Sequence, residues 1–172
     1  MNTHFSLTLP QHQARLLYLA LVYHLARPGS EVDPVTLSDY EHGLAEVKPA
    51  LEPQLEGESA TLELTPFQMA RLNTAMLSTI SELKTYSLFD KVAAGTERPR
   101  SLAAGFDEAL RWLFPRMAED ASYASELAED LLMLRRQLSA SIRRAEAALA
   151  EEERAAQAAR KAAKKRWQFW RR

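Results

Sequence analysis

Residues 5–26 read F-S-L-T-L-P-Q-H-Q-A-R-L-L-Y-L-A-L-V-Y-H-L-A. Phe5, Leu7 and Leu9 are apolar at every second position, the period of a half-buried strand. Pro10 suits the first turn of a helix, where its missing N–H costs nothing. Leu16, Leu17, Leu19, Ala20, Leu21, Val22, Tyr23 and Leu25 then cover nearly every face of that helix, and Arg27-Pro28-Gly29 ends it. A helix apolar all round belongs at the centre of a domain. The stretch predicts a short strand feeding a buried central helix.

The same join recurs downstream. Leu62-x-Leu64-Thr65-Pro66-x3-Ala70-Arg71-Leu72 repeats Leu7-x-Leu9-Pro10-x3-Ala14-Arg15-Leu16, with one residue inserted. Two readings stand side by side: an internal duplication of a strand–helix unit, or the ordinary Thr/Pro punctuation between strands and helices. Under either, residues 5–9 and 61–64 need each other, because a lone strand leaves its backbone groups without partners. Thr65 is the N-cap and Pro66 the first residue of a helix with Met69, Leu72, Met76, Ile80 and Leu83 on one face. It reaches at least Tyr86 and can run on through Val92, with Gly95 just past its end.

Between the two joins, Asp33-Pro34 opens a helix, or Ser38 with Glu41 does so three residues apart. Its stripe is Leu37, Tyr40, Leu44 and Val47, and Lys48-Pro49 ends or kinks it. Residues 52–59 read as an acidic loop. After a polar loop at 96–100, Ser101 caps a helix carrying Leu102, Phe106, Ala109, Leu110, Leu113 and Phe114. Trp112 lies off that stripe, partly exposed or against a second surface, and Pro115 ends or kinks the helix.

From Arg116 onward there is neither Gly nor Pro. Leu127, Leu131, Leu134, Leu138, Ile142, Ala145 and Leu149 form a stripe at spacings of 4, 3, 4, 4, 3 and 4, a heptad with a stutter. The same step continues to Glu152, Ala156, Ala159, Ala163, Arg166 and Trp170, so the seam decays from leucine to alanine and charge. An unbroken helix from 116 to 170 would be roughly 80 Å long, and a break is expected near Ala121-Ser122. These patterns predict a mainly α protein. It is a small helical bundle with a pair of short β-strands in its N-terminal half and a long C-terminal helix that projects from the domain. The division is 1–138 for the domain and 139–172 for the projecting Ala- and charge-rich helix.

Residues 160–172 read R-K-A-A-K-K-R-W-Q-F-W-R-R. They hold seven of the 22 Lys/Arg, none of the 23 Asp/Glu and three aromatics, so a tail of +7 follows a body of −8. The predicted anionic-surface residues are Arg160, Lys161, Lys164, Lys165, Arg166, Trp167, Phe169, Trp170, Arg171 and Arg172. Solvation accounts for the charges but not for large aromatics among them. On a helix Trp167 and Trp170 share a face; on an extended strand Trp167 and Phe169 do. The leading reading is a non-catalytic adaptor or scaffold whose tail docks on an anionic membrane surface, where Trp suits the interface. The alternatives are nucleic-acid binding, with Arg135, Arg136, Arg143 and Arg144 extending the footprint, and a helical protein–protein interaction module. The leucine stripe from 127 to 149 offers a surface for homo-oligomers.

No enzyme signature is present. The five glycines are scattered singly, without a phosphate-binding loop, dinucleotide fingerprint or nucleophile elbow. Cysteine is absent, which excludes disulfides, Cys-ligated metals and thiol nucleophiles. His4, His12, His24 and His42 lack helical metal-site spacing, and Asp39-Tyr40-Glu41-His42 reads as a solvated helical face. No cofactor, metal or small-molecule substrate is expected. The longest apolar run, 16–23, is far short of the roughly 20 residues a membrane span needs. The expected location is cytoplasmic, with the tail peripheral to the inner face of the membrane.

Overall fold

The computed structural model describes residues 4–27, 30, 43–92, 103 and 105–169. The chain divides into two compact units, Met1–Arg136 and Gln137–Arg172. The fold is mainly α, with two antiparallel strands in the N-terminal half.

Strands β1 (Phe5–Pro10) and β2 (Ser59–Leu64) pair with each other, in a register that sets Leu7 opposite Leu62 and Leu9 opposite Ala60. Leu9, Ala60, Leu62 and Leu64 are buried, while Thr8 and Thr61 face each other on the exposed side and join hydroxyls at 3.1 Å. A two-stranded ribbon is marginal by itself. Helix α1 (Gln11–Leu25) leaves β1 directly and packs on the other helices of this unit, including α3 (Pro66–Val92). Its residues 16–21 are all buried, so the all-round apolar pattern is that of a central helix. Helix α3 buries Met69, Leu72, Met76, Ile80 and Leu83. Its start is a reciprocal capping box. The Thr65 hydroxyl accepts the Gln68 N–H at 3.2 Å, and the Gln68 side chain accepts the Thr65 N–H at 2.9 Å.

Helix α2 (Leu44–Leu51) departs from expectation. The opening at Asp33-Pro34, with Leu37 and Tyr40, lies outside the described residues. Pro49 does not end the helix, which runs on to Leu51 and into a 3-10 turn, Glu52–Gln54. The reason is burial. Leu44, Val47, Leu51 and Leu55 are all buried, and each contributes about 1.5–3 kcal/mol. Together they outweigh the ~3 kcal/mol of an interior proline. The acidic stretch after it is therefore anchored rather than loose. The Gln54 amide donates to the Ala50 and Thr61 carbonyls at 2.9 and 3.1 Å and accepts the Thr61 N–H at 2.8 Å.

Helix α4 (Phe106–Leu113) follows Gly105, whose φ of 76° suits glycine alone without strain. The start expected at Ser101 lies outside the described residues. The helix stops before Pro115, which opens a 3-10 turn (Pro115–Ala118). The break foreseen near Ala121-Ser122 is present, and α5 (Tyr123–Phe169) begins just after it. Asp120 organises that start, accepting the Ser122 N–H at 3.1 Å and the Ser122 hydroxyl. Leu127, Leu131, Leu134 and Leu138 are buried. Beyond them Ile142 is half-buried, and Arg143, Arg144, Ala147, Glu151 and Arg154 are exposed. Among the described residues, no helix is long and apolar enough to cross a membrane.

Candidate anionic-surface interface

The backbone of α5 stays helical to Phe169. Alanine has the strongest helix propensity, and 11 of the 24 residues from Ala140 to Ala163 are alanine. The cations that follow sit at the C-terminal end, where they complement the negative end of the helix dipole. Arg160 is exposed. Lys161, Lys164, Lys165, Arg166, Trp167 and Phe169 lie on the same helix, about 14 Å of it from Arg160 to Phe169. Trp170, Arg171 and Arg172 lie outside the described residues. Because the helix persists, the extended-strand arrangement of Trp167 and Phe169 is not the backbone found at those positions.

Upstream, Arg143 and Arg144 are exposed and bond only oxygens of their own helix among the described residues. Arg143 donates to the Ser139 carbonyl at 3.3 Å. Arg144 donates to the Ala140 carbonyl at 3.4 Å and the Ser141 hydroxyl at 3.3 Å. Their charge is therefore not neutralised by a described carboxylate.

The first unit handles its charges differently. Arg116 forks onto both oxygens of Glu126 at 3.0 Å each, reaches Asp120 at 2.9 Å and lies 4.3 Å from the Tyr123 ring centre. The Glu126 bonds, then Asp120, hold its pKa above the usual arginine value. The Ser122 hydroxyl, then Arg116, hold the Asp120 carboxyl below its ordinary value. His12 on α1 meets Asp130 on α5 at 2.9 Å and sets its ring edge-on to Phe114. His12, Phe114, Arg116 and Tyr123, with Gln11 and Arg15, line a hollow of about 250 Å³. Arg116 there faces Glu126 and Asp120, and the His12–Asp130 bond ties α1 to the start of α5. The His12–Asp130 pair spans 118 residues and has no local signature in the sequence.

A larger hollow of about 500 Å³ lies between α1, α2 and α4, bordered by Tyr18, Val22, Leu25, Lys48, Glu108 and Trp112. Lys48 sits 5.1 Å from the Tyr18 ring centre and 3.5 Å from Glu52, and its bond to Tyr18 is the largest influence raising its pKa. Trp112 is 53% exposed and edge-on to Tyr18. The Asp39-to-His42 cluster lies outside the described residues, and His24 is partly buried on α1. Among the described residues, no group of three or more His, Asp or Glu is arranged to hold a metal ion. No protein-family model, characterised protein or solved structure matches this chain.

Proposed function

We propose that this protein is a non-catalytic adaptor or scaffold that places its helical domain at an anionic membrane surface through the C-terminal end of α5. One observation carries the reading: seven cations, no acid and three aromatics fall within residues 160–172, on a helix that continues to Phe169. Arg160, Lys161, Lys164, Lys165, Arg166, Arg171 and Arg172 supply long-range attraction, about 1 kcal/mol each near an anionic leaflet. Trp167, Phe169 and Trp170 supply short-range holding in the interfacial zone. Attachment of this kind is reversible and weakens with salt. On this reading the protein works in the cytoplasm, at the inner face of the membrane.

The exposed Arg143, Arg144 and Arg154 support a second reading, in which the helix binds nucleic acid through phosphates. The two separate in one experiment. The full chain is co-sedimented with phosphatidylserine-containing and purely phosphatidylcholine vesicles. It is also titrated with single- and double-stranded DNA, each across a salt series. The membrane reading expects binding to anionic vesicles only, lost when Trp167 and Trp170 are changed to Ala. DNA binding with a steep salt slope that survives the double change contradicts it.

A further inference from the structure

The two outer edges of the β1–β2 ribbon differ. In an antiparallel pair, successive residues point their N–H and C=O alternately toward the partner strand and away from it. The Thr61 N–H and C=O both bond the Gln54 side chain, at 2.8 and 3.1 Å, so they point away from β1. Thr61 lies opposite Thr8, which fixes the phase of the ladder. The Gln11 N–H meets the Glu58 carbonyl at 3.0 Å in the same phase. Phe5, Leu7 and Leu9 therefore bond β2, while Ser6 and Thr8 direct their main-chain groups outward. Pro10, next in that series, has no N–H. On β2 the outer edge is closed at Thr61 by Gln54 and carries an exposed charge at Glu63, both common guards against strand pairing. On β1, Ser6 and Thr8 are exposed, none of residues 5–10 is charged, and among the described residues no group bonds those outward N–H and C=O.

Unpaired main-chain donors and acceptors call for a strand, and this edge is complementary to itself. Turned antiparallel about Leu7, the Ser6 groups of one copy meet the Thr8 groups of the other, in both directions. A shift by two residues would set Ser6 opposite Pro10, which has no N–H to give. The apolar side chains agree with the centred register. Phe5 and Leu7 are only half-buried, whereas Ala60, Leu62 and Leu64 on β2 are buried. In the centred pair Leu7 lies beside Leu7 of the second copy, and Phe5 beside its Leu9, so the same step covers what the single chain leaves open. We infer that the outer edge of β1 pairs with the same edge of a second copy, forming a continuous four-stranded sheet about a two-fold axis. One short ladder buries less than the ~1,200 Å² of a stable interface, so the dimer is weak and depends on concentration. The inference is independent of the membrane reading, because it uses none of residues 160–172.

The test is sedimentation velocity of the full chain from low micromolar to near-millimolar concentration. The weight-average mass should rise toward that of a dimer. Ser6→Pro removes an outward N–H, which an edge strand tolerates. It should weaken the dimer at least tenfold and leave the thermal midpoint within a few degrees. Two double changes at exposed side chains then read the register, and carry the test should Ser6→Pro prove destabilising. Ser6→Lys with Thr8→Glu sets opposite charges across the axis and should retain the dimer. Ser6→Lys with Thr8→Lys sets like charges there and should abolish it. A chain that stays monomeric throughout overturns the inference. If that monomer binds a synthetic Val/Thr-rich peptide, and Ser6→Pro removes the binding, the edge takes another protein's strand instead. Self-association that all three variants leave unchanged would place it elsewhere, on the leucine stripe of α5 or on the tail, and overturn it equally. So would equal loss in the two double variants, which contradicts the pairing of Ser6 with Thr8.

Discussion

The two ends of α5 are helical for different reasons. From Leu127 to Leu138 the helix buries four leucines, each 3% exposed or less. From Ala140 onward alanine and charge replace them, and exposed side chains dominate. Tertiary packing holds the first part and intrinsic propensity the second. On the membrane reading, this propensity-held end of α5 is where the cations and aromatics of the tail act.

The contrast can be broken by substitution. Leu131→Ala should cost about 2–5 kcal/mol in urea unfolding, the range for truncating a buried leucine. Ile142→Ala, at a half-buried position, should cost clearly less, on the order of 1 kcal/mol. Equal costs at the two positions would erase the distinction. Ala156→Gly should weaken the helix by about 1 kcal/mol. That loss should be confined to faster amide exchange around residue 156, with the urea midpoint of the first unit unchanged.

The smallest effect concerns pH at the start of α5. Ser122 and Arg116 hold the Asp120 carboxyl below its ordinary value. The unfolded chain therefore takes up that proton first as pH falls. The stabilisation is fully present above the unfolded pKa of about 3.9 and is lost as pH drops through the lower folded value. Asp120→Asn should flatten the acid limb of the stability curve slightly and leave its neutral part nearly level. A steeper acid limb in the variant would contradict this assignment.

Much of this architecture is legible in sequence because it rests on local periodicity. The alternation in residues 5–9 and 61–64 marks both strands. The spacing from Met69 to Leu83 marks the buried face of α3, and that from Leu127 to Leu138 marks the packed part of α5. Thr65 and Gln68 have capping-box spacing, so that reciprocal cap was also readable. Pro49 does not stop α2 because a local rule about proline meets a non-local gain, the burial of Leu51 and Leu55. His12 and Asp130 meet only after folding. The exposed Phe67, Leu77 and Leu88 of α3 are hidden for another reason: apolar residues on both faces blur the pattern of the helix, and only exposure separates them from the packed stripe. In the tail the residue types were plain from the start, and the helix to Phe169 adds which backbone carries them.

The central claim is that the aromatics of the tail enter an anionic membrane interface, and tryptophan emission tests it most directly. Trp112, itself 53% exposed, is replaced by Phe so that only Trp167 and Trp170 report. With phosphatidylserine-containing vesicles the emission should shift to the blue, become sensitive to quenchers carried on lipid chains, and return toward its starting position as salt is raised. Emission unchanged by those vesicles, yet quenched by single-stranded DNA at the same ionic strength, would contradict the account.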